Sequence, residues 1–266
     1  MLCFSRESNV RPAWVLKHMY DSIAGIKTLR VKISALERVE NKFVSASSEI
    51  KLQVSPRKLY YRNLQKNIEV LYDSEISTRK ALVQPRSFPY VSLWLDPSGN
   101  IMRRNQHYTL HELGFDYIGK SVALTLNKDR DGLNHFSLPG KVIKNGRSCY
   151  LLEYENNAYG YVNYFVGEKE TASSIAYRLC VNDYLLRNAN GLLNDFGYLK
   201  KGSILRVPNL YCRKAILYID DRMFLPVSLS IYDEKGLFES YDYFSIELNK
   251  PFHASEFTRD HPDYSF

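Results

Sequence analysis

The chain has 266 residues, 45% of them hydrophobic and 24% charged, which is enough to build a globular core without staples. Lys plus Arg number 36 against 29 Asp plus Glu, a net charge of +7, but clusters such as Arg103-Arg104 and Lys200-Lys201 lack the dense basic stripe of a nucleic-acid footprint, so no nucleic acid is expected as a partner. No run of about 18 apolar residues occurs, which excludes a transmembrane helix, and the 21 Tyr and 13 Phe suit pleated surfaces buried on one side and wet on the other.

Pro12 to Ile23 carries Trp14, Leu16, Met19, Tyr20 and Ile23 at roughly helical spacing and is followed by Gly25, which predicts an amphipathic helix. From Thr28 the period changes to two, with Leu29, Val31, Ile33 and Ala35 on one face. Short runs at Glu49 to Val54, Lys58 to Arg62, Ile68 to Tyr72 and Lys80 to Val83 are separated by breakers such as Ser55-Pro56 and Gln84-Pro85, the spacing of an antiparallel meander. Tyr108 to Thr125 turns helical, with Leu110, Leu113, Phe115, Ile118, Val122 and Leu126 as inward positions. Lys141 to Glu155 reads as a hairpin around Asn145-Gly146. After a central segment, Ala215 to Ile219, Pro226 to Tyr232 and Leu237 to Leu248 resume strand character. Between Tyr164 and Pro208 the pattern is strand, helix, helix, strand.

Several motifs imitate chemistry. Gly114 to Ser121 matches the GxxxxGKS expression, but no buried strand precedes it and its interior is bulky, unlike a phosphate-cradling loop. Asn127 to Gly132 resembles the opening of a calcium loop, yet its twelfth position is Leu138 rather than a bidentate Glu. His107 and His111 have the spacing of one helix face but lack a third metal ligand, so they read as partly exposed histidines, and neither metal nor cofactor is expected. Glu153 and Glu155 share a strand face, as glycosidase carboxylates could, although a solvated face is the commoner use. No GxSxG elbow or other nucleophile signature appears, so the chain reads as noncatalytic. Cys3, Cys149, Cys180 and Cys212 form no CxxC pair. Buried free thiols are the plain reading, and a Cys149–Cys212 disulfide stays open for an oxidising compartment.

The central segment resembles the LysM family through Val166, Glu170-Thr171, Ser174-Ile175-Ala176, Leu185, Asn188, Leu199, Lys201-Gly202 and Leu205-Arg206-Val207-Pro208. It departs from that family at Lys169-Glu170, where Gly-Asp is usual, and at Ala172, where Leu is usual. The resemblance implies a βααβ module that binds peptidoglycan or another N-acetylglucosamine glycan in a shallow groove. By position, that groove would be lined by Lys169, Glu170, Thr171 and Ala172 on one side and by Asn190, Gly191, Leu192 and Leu193 on the other. The plain alternative is that Thr171 only caps a helix and that Leu192-Leu193 pack internally.

The flanks resemble a family of bacterial envelope proteins of unknown function, DUF1571, with a lipoprotein-carrier-like fold. This resemblance rests on Ser87-Phe-Pro-Tyr-Val-Ser-Leu, Leu95-Asp-Pro-x-Gly99, Arg104-Asn-Gln-His107, Leu113-Gly-Phe115, Leu217-Tyr-Ile-Asp220, Leu225-Pro226, Tyr232-Asp-x-x-Gly-Leu237, Glu239-x-Tyr241 and Glu256-Phe-x-Arg-Asp260. It implies an α+β fold in which a curved, mainly antiparallel sheet, a half barrel, packs on helices and shelters a lipid or lipoprotein in its concavity. An ordinary filled core of Leu29, Val31, Ile33, Leu52 and Val54 is the alternative. Residues 1–163 and 209–266 would then form one discontinuous sheet domain, with 164–208 as a LysM-like insert projecting from it. Such relatives carry export signals, which implies a periplasmic or cell-envelope address, although Met1 to Trp14 contains no apolar signal core and by itself reads as cytosolic. The leading expectation is noncatalytic attachment to peptidoglycan, with a lipid or lipoprotein carrier as the alternative.

Overall fold

Alternating apolar and polar residues in both flanks resolve into one eleven-stranded sheet in the computed structural model, which describes residues 10–88, 90–128 and 131–266. Cys3 and most of the Met1 to Trp14 segment, Pro89 of the Ser87 motif, and Asp129 and Arg130 of the calcium-loop imitation lie outside the described residues. The chain runs α1 (Pro12–Ala24), β1 (Thr28–Val39), β2 (Lys42–Gln53), β3 (Lys58–Asn63), β4 (Ile68–Asp73), β5 (Ala81–Pro85), β6 (Leu93–Leu95), α2 (Asn100–Arg103), a single turn at Leu110–Glu112, and α3 (Phe115–Lys128). It continues with β7 (Phe136–Lys144), β8 (Arg147–Glu155), β9 (Tyr161–Phe165), α4 (Ala172–Leu179), α5 (Asp183–Ala189), β10 (Ile204–Pro208), β11 (Lys214–Asp220), β12 (Pro226–Asp233) and β13 (Gly236–Leu248).

The large sheet has the order β6-β5-β4-β3-β2-β1-β13-β12-β11-β8-β7, and its ladders are antiparallel throughout. The late strands therefore insert beside β1, and both flanks build one sheet. This is the layout the flank resemblance implied: a curved, mostly antiparallel sheet with a few helices. Helices α1 and α3 cover one face. Val15, Leu16 and Met19 of α1 join Leu152 and Tyr154 of β8 and Leu217 and Ile219 of β11 in one apolar cluster. A second gathers Leu29, Val31, Ile50, Leu52 and Leu59 under Phe115 of α3. On the other face, Tyr60, Leu71 and Leu82 are covered by Tyr264 and Phe266. There Tyr264 stacks on Tyr60 at 3.9 Å, and Glu256 holds Arg30 at 2.7 Å and Lys51 at 3.0 Å.

Two local readings need correction, and the plain reading of the cysteines as buried free thiols holds for Cys149, Cys180 and Cys212. Trp14 was expected inward but is 40% exposed, because Val15 takes the buried position on α1. The helix expected over Tyr108 to Thr125 is broken. Gly114 has φ +115°, and a Cβ there would stand 2.8 Å from Leu52 Cδ2, so α3 begins only at Phe115. Cys149 and Cys212 are free thiols. Cys149 faces Asp220 at one end of the β8–β11 ladder, whereas Cys212 lies beyond the Lys214–Glu155 pair at the other. That separation is about 20 Å at strand rise, far beyond disulfide reach.

The central segment forms a second, two-stranded sheet of β9 and β10 with α4 and α5 between them. Thr171 caps α4 in a reciprocal pair with Ser174, and Asn182 caps α5 by accepting from Leu185 N at 3.2 Å. Cys180 turns between the helices in the left-handed region, φ 47°. Val166, Ile175, Ala176, Leu186, Leu205 and Val207 make a core of their own. The unit does not project from the body, however. Cys180, Tyr184 and Leu185 belong to the main core, Tyr184 Oη accepts from Glu40 N at 2.8 Å, and buried Arg103 of α2 pairs with Asp183 of α5.

Candidate functional site

Inward alternation on β1 runs Leu29, Val31, Ile33, Ala35 and Glu37. The first two are buried in packed core, while the last three line a cavity of about 320 Å³ between α3 and the sheet. Ile118 and Val122 of α3 form its roof. Leu217 of β11, Leu229 and Ile231 of β12, and Tyr241 and Tyr243 of β13 form its floor. The exposed residues Ser45, Gln65, Lys66 and Asn105 mark its mouth. Ile33, read as core filling by one sequence alternative, therefore faces open space, whereas Leu29, Val31 and Leu52 do fill a core. A second hollow of about 420 Å³ lies between α1, α3 and the β1–β2 ladder, against Tyr20, Ile23 and Val54.

One end of the first cavity is polar. Glu37 on β1 and Glu239 on β13 stand directly opposite each other across the ladder, an arrangement in which two carboxylates repel. His107 relieves that repulsion. Its Nδ1 lies 2.7 Å from Glu239 Oε2, and its Nε2 lies 3.2 Å from the Arg38 carbonyl oxygen. A carbonyl only accepts, so Nε2 carries a proton, and the Nδ1–Glu239 contact holds another shared between ring and carboxylate. Burial works to lower the His107 pKa, but the Glu239 hydrogen bond and the charges of Glu37 and Glu239 hold it above its ordinary value. Burial also pushes the Glu239 carboxyl up, against the opposing effect of His107. Tyr108 donates to Glu239, Tyr211 meets Tyr108 at 2.7 Å, and Tyr241 donates to Glu37 at 2.5 Å.

The sequence reading placed His107 with His111 as partly exposed histidines on one helix face. Instead His107 is 1% exposed and sandwiched by Phe238, 4.2 Å away, and Tyr184, 4.6 Å away. His111 sits in the short turn before α3, edge-on to Tyr72. Among the described residues no group of three His, Cys, Asp or Glu side chains could hold a metal ion. Glu37, Tyr108, Tyr211 and Tyr241 reach the cavity and His107 does not, so the polar end can orient a ligand by hydrogen bonds while its histidine stays sealed from it. The Gly119-Lys120-Ser121 of the phosphate-loop imitation lies inside α3.

The eight residues assigned to a glycan groove are distributed as follows. Lys169 is exposed, in the left-handed region at φ 55°. Glu170 accepts from Gly167 N at 2.7 Å, from the Tyr164 hydroxyl and from Arg178, and these bonds, that from Gly167 first, hold its carboxyl below the usual range. Thr171 is spent on the α4 cap, and Ala172 is buried. Asn190 donates to Leu186 O and Arg206 O at 2.7 and 2.8 Å and accepts from Arg206 N at 2.8 Å. Gly191 is exposed at φ +68°. Leu192 packs with Ala172 in the unit's own core, whereas Leu193 packs against the main core. The two leucines thus serve different clusters.

Sequence reasoning missed Glu37, Glu239 and their tyrosine partners. Glu37 was within reach, since it simply continues the Leu29-to-Ala35 inward register, and a carboxylate on an apolar strand face needs a reason. The contact of His107 with Glu239 spans 132 residues, and no local pattern reports it. Both residues lie in motifs that carried the flank resemblance.

Residues 205–266 match the family model described as "Protein of unknown function (DUF1571)". The flank resemblance therefore holds over that segment, which supplies β11 to β13, Glu239 and Tyr241. No curated protein matches the chain. Among solved structures it is similar to the lipoprotein LppX from Mycobacterium tuberculosis, at 12% identity and TM-score 0.41, over 91% of this chain and 97% of that one. It is also similar to LprF from Mycobacterium bovis, at 12% identity and TM-score 0.44, over 91% and 96%. A LolA superfamily protein from Nitrosomonas europaea follows at 10% identity and TM-score 0.35, over 95% and 99%.

Proposed function

We propose that this is a noncatalytic binding protein of the bacterial envelope that shelters the acyl chain of a lipid or lipoprotein between α3 and the sheet. The observation that carries this reading is the cavity of about 320 Å³ under Ile118 and Val122, which falls in the range of about 300–1,000 Å³ typical of small-molecule sites. Each methylene moved from water into such a space contributes about 0.8 kcal/mol. The carboxylate and tyrosine hydroxyls at one end would fix which way the ligand lies. In a binding experiment with a fluorescent fatty acid, the protein is expected to take up the probe. Val122→Trp, which fills the cavity from a half-buried position, is expected to weaken uptake about tenfold or more, a loss of roughly 1.4 kcal/mol or greater. Absence of uptake, or uptake indifferent to Val122→Trp, would remove this reading.

Glycan attachment through the βααβ unit is the second reading, and the strand-helix-helix-strand order with its own apolar core supports it. It ranks second because Glu170, Thr171 and Asn190 already spend their polar atoms inside the unit. Removing the segment would strip Tyr184 and Leu185 from the main core, so surface variants are the proper test. Lys169→Glu with Gly191→Asn keeps both backbone conformations accessible. If the groove binds glycan, this pair lowers cosedimentation with insoluble peptidoglycan at moderate salt; unchanged or absent retention speaks against it.

A further inference from the structure

Among the described residues the sheet ends at β6, a three-residue strand paired on one side only. Around it the chain exposes Phe88 at 87%, Tyr90 at 66%, Val91, Leu93 and Trp94 at 50% each, and Ile101 at 76%. Single exposed apolar residues are ordinary, but a run of this kind along one edge marks an interaction surface. Its charge surroundings are mainly basic, and Glu75 of the loop before β5 is paired with Lys58 at 2.6 Å. The β5–β6 ladder pairs Ala81 with Leu95, which brings the loop before β5, with exposed Arg79 and Lys80, to the end of the edge where Ile101 follows. At the opposite end, Arg86 N bonds Asn67 O at 2.8 Å, which brings exposed Lys66 near the Phe88 side. Asp96 is the sole carboxylate between Glu75 and Glu112 in sequence, and it accepts from Ser98 N at 2.7 Å.

We infer that this edge docks on an anionic lipid bilayer, with Phe88, Tyr90 and Trp94 entering the headgroup boundary and Lys66, Arg79 and Lys80 facing lipid phosphates. Aromatic rings with apolar bodies and polar tips, flanked by cations, have the composition that partitions into a membrane interface. A strand-adding peptide partner fits less well, because three residues of edge offer few ladder hydrogen bonds. Docking here is a separate property from cavity binding and does not require it.

The chain has two tryptophans, so Trp14→Phe leaves Trp94 as the single reporter. Titrated with vesicles of phosphatidylglycerol and phosphatidylethanolamine, this variant is expected to show a blue-shifted Trp94 emission. The shift should be several-fold weaker with phosphatidylcholine vesicles or at raised salt, where screening shortens the reach of the cations. In the otherwise unchanged chain, Phe88→Ser with Tyr90→Ser, and separately Arg79→Glu with Lys80→Glu, should each lower vesicle cosedimentation several-fold. Val122→Trp should leave cosedimentation unchanged, which keeps failure of the cavity reading distinguishable from failure of this one. An unshifted Trp94 spectrum in excess anionic vesicles would overturn the proposal, as would retention indifferent to both surface pairs. Self-association of the chain through the β6 edge, with no vesicle response, would overturn it in favour of a protein contact.

Discussion

The sheet body and the βααβ unit use their residues in opposite ways. In the unit, the polar groups that could greet a sugar are consumed internally: Asn190 ties α5 to β10 through three hydrogen bonds, and Glu170 ties the entry loop to Tyr164 and Arg178. In the body, a strand register that could have been packed shut leaves Ile33, Ala35 and Glu37 facing a cavity. Binding capacity resides where apolar surface is left unfilled, since the polar groups of both regions are bonded internally. By that measure the body is the better candidate, and the unit reads first as a structural element locked to it through the Arg103–Asp183 pair.

The largest effect that could break this comparison is at the carboxylate pair. Glu239→Ala strands His107 beside Glu37 in a dry site, and breaking a buried pair of this kind costs about 3–5 kcal/mol. A denaturant titration showing under about 1 kcal/mol would mean that the polar end of the cavity is not held together as described. In the unit, Asn190→Ala is expected to lose about 0.5–1.5 kcal/mol, since it removes bonds to Leu186 O, Arg206 O and Arg206 N, the last two open to solvent. A folded, stable Asn190→Ala protein would instead free Asn190 for a ligand role and raise the glycan reading. Thr171→Ala should cost about 1 kcal/mol through loss of the α4 cap, read as a small drop in thermal midpoint; no drop would likewise release Thr171 for binding.

The smallest effect is the pH dependence. His107 and Glu239 both have raised folded pKa values, so the folded state binds more protons than the unfolded chain. The stability His107 contributes is fully present below its unfolded value of about 6.5 and is lost as pH rises through the higher folded value. Glu239 acts in the same sense, with its loss beginning above its unfolded value of about 4.3. Asp220, Asp242 and Glu256, whose carboxyls are held low by hydrogen bonds despite burial, act in reverse and lose their contribution only as pH falls below about 4. Unfolding free energy should therefore decline from about 4.3 upward, and His107→Gln should flatten the part of that slope above about 6.5. An unchanged slope in His107→Gln would assign the decline to another group.

Much of the body was legible in the sequence because each strand repeats its own signal: Leu29 and Val31, or Tyr150, Leu152 and Tyr154, report their inward face by period two. The Asn145-Gly146 hairpin was likewise local. The first half of β2 was not, since Ser45, Ala46 and Ser48 line the cavity rather than a packed core. The helix before Gly114 failed because a close backbone approach to Leu52 outweighed the apolar spacing around it. The candidate site was the least legible part. Ile33 looks the same whether it meets a neighbour or a void, and His107 finds Glu239 only through the insertion of β13 beside β1.

Native mass spectrometry of the full chain after exposure to a bacterial lipid extract reads the occupancy of the cavity itself. A discrete lipid adduct is expected on the intact protein, lost in Val122→Trp and retained in Lys169→Glu with Gly191→Asn. The bare protein mass alone, or an adduct that survives the filled cavity, would contradict it.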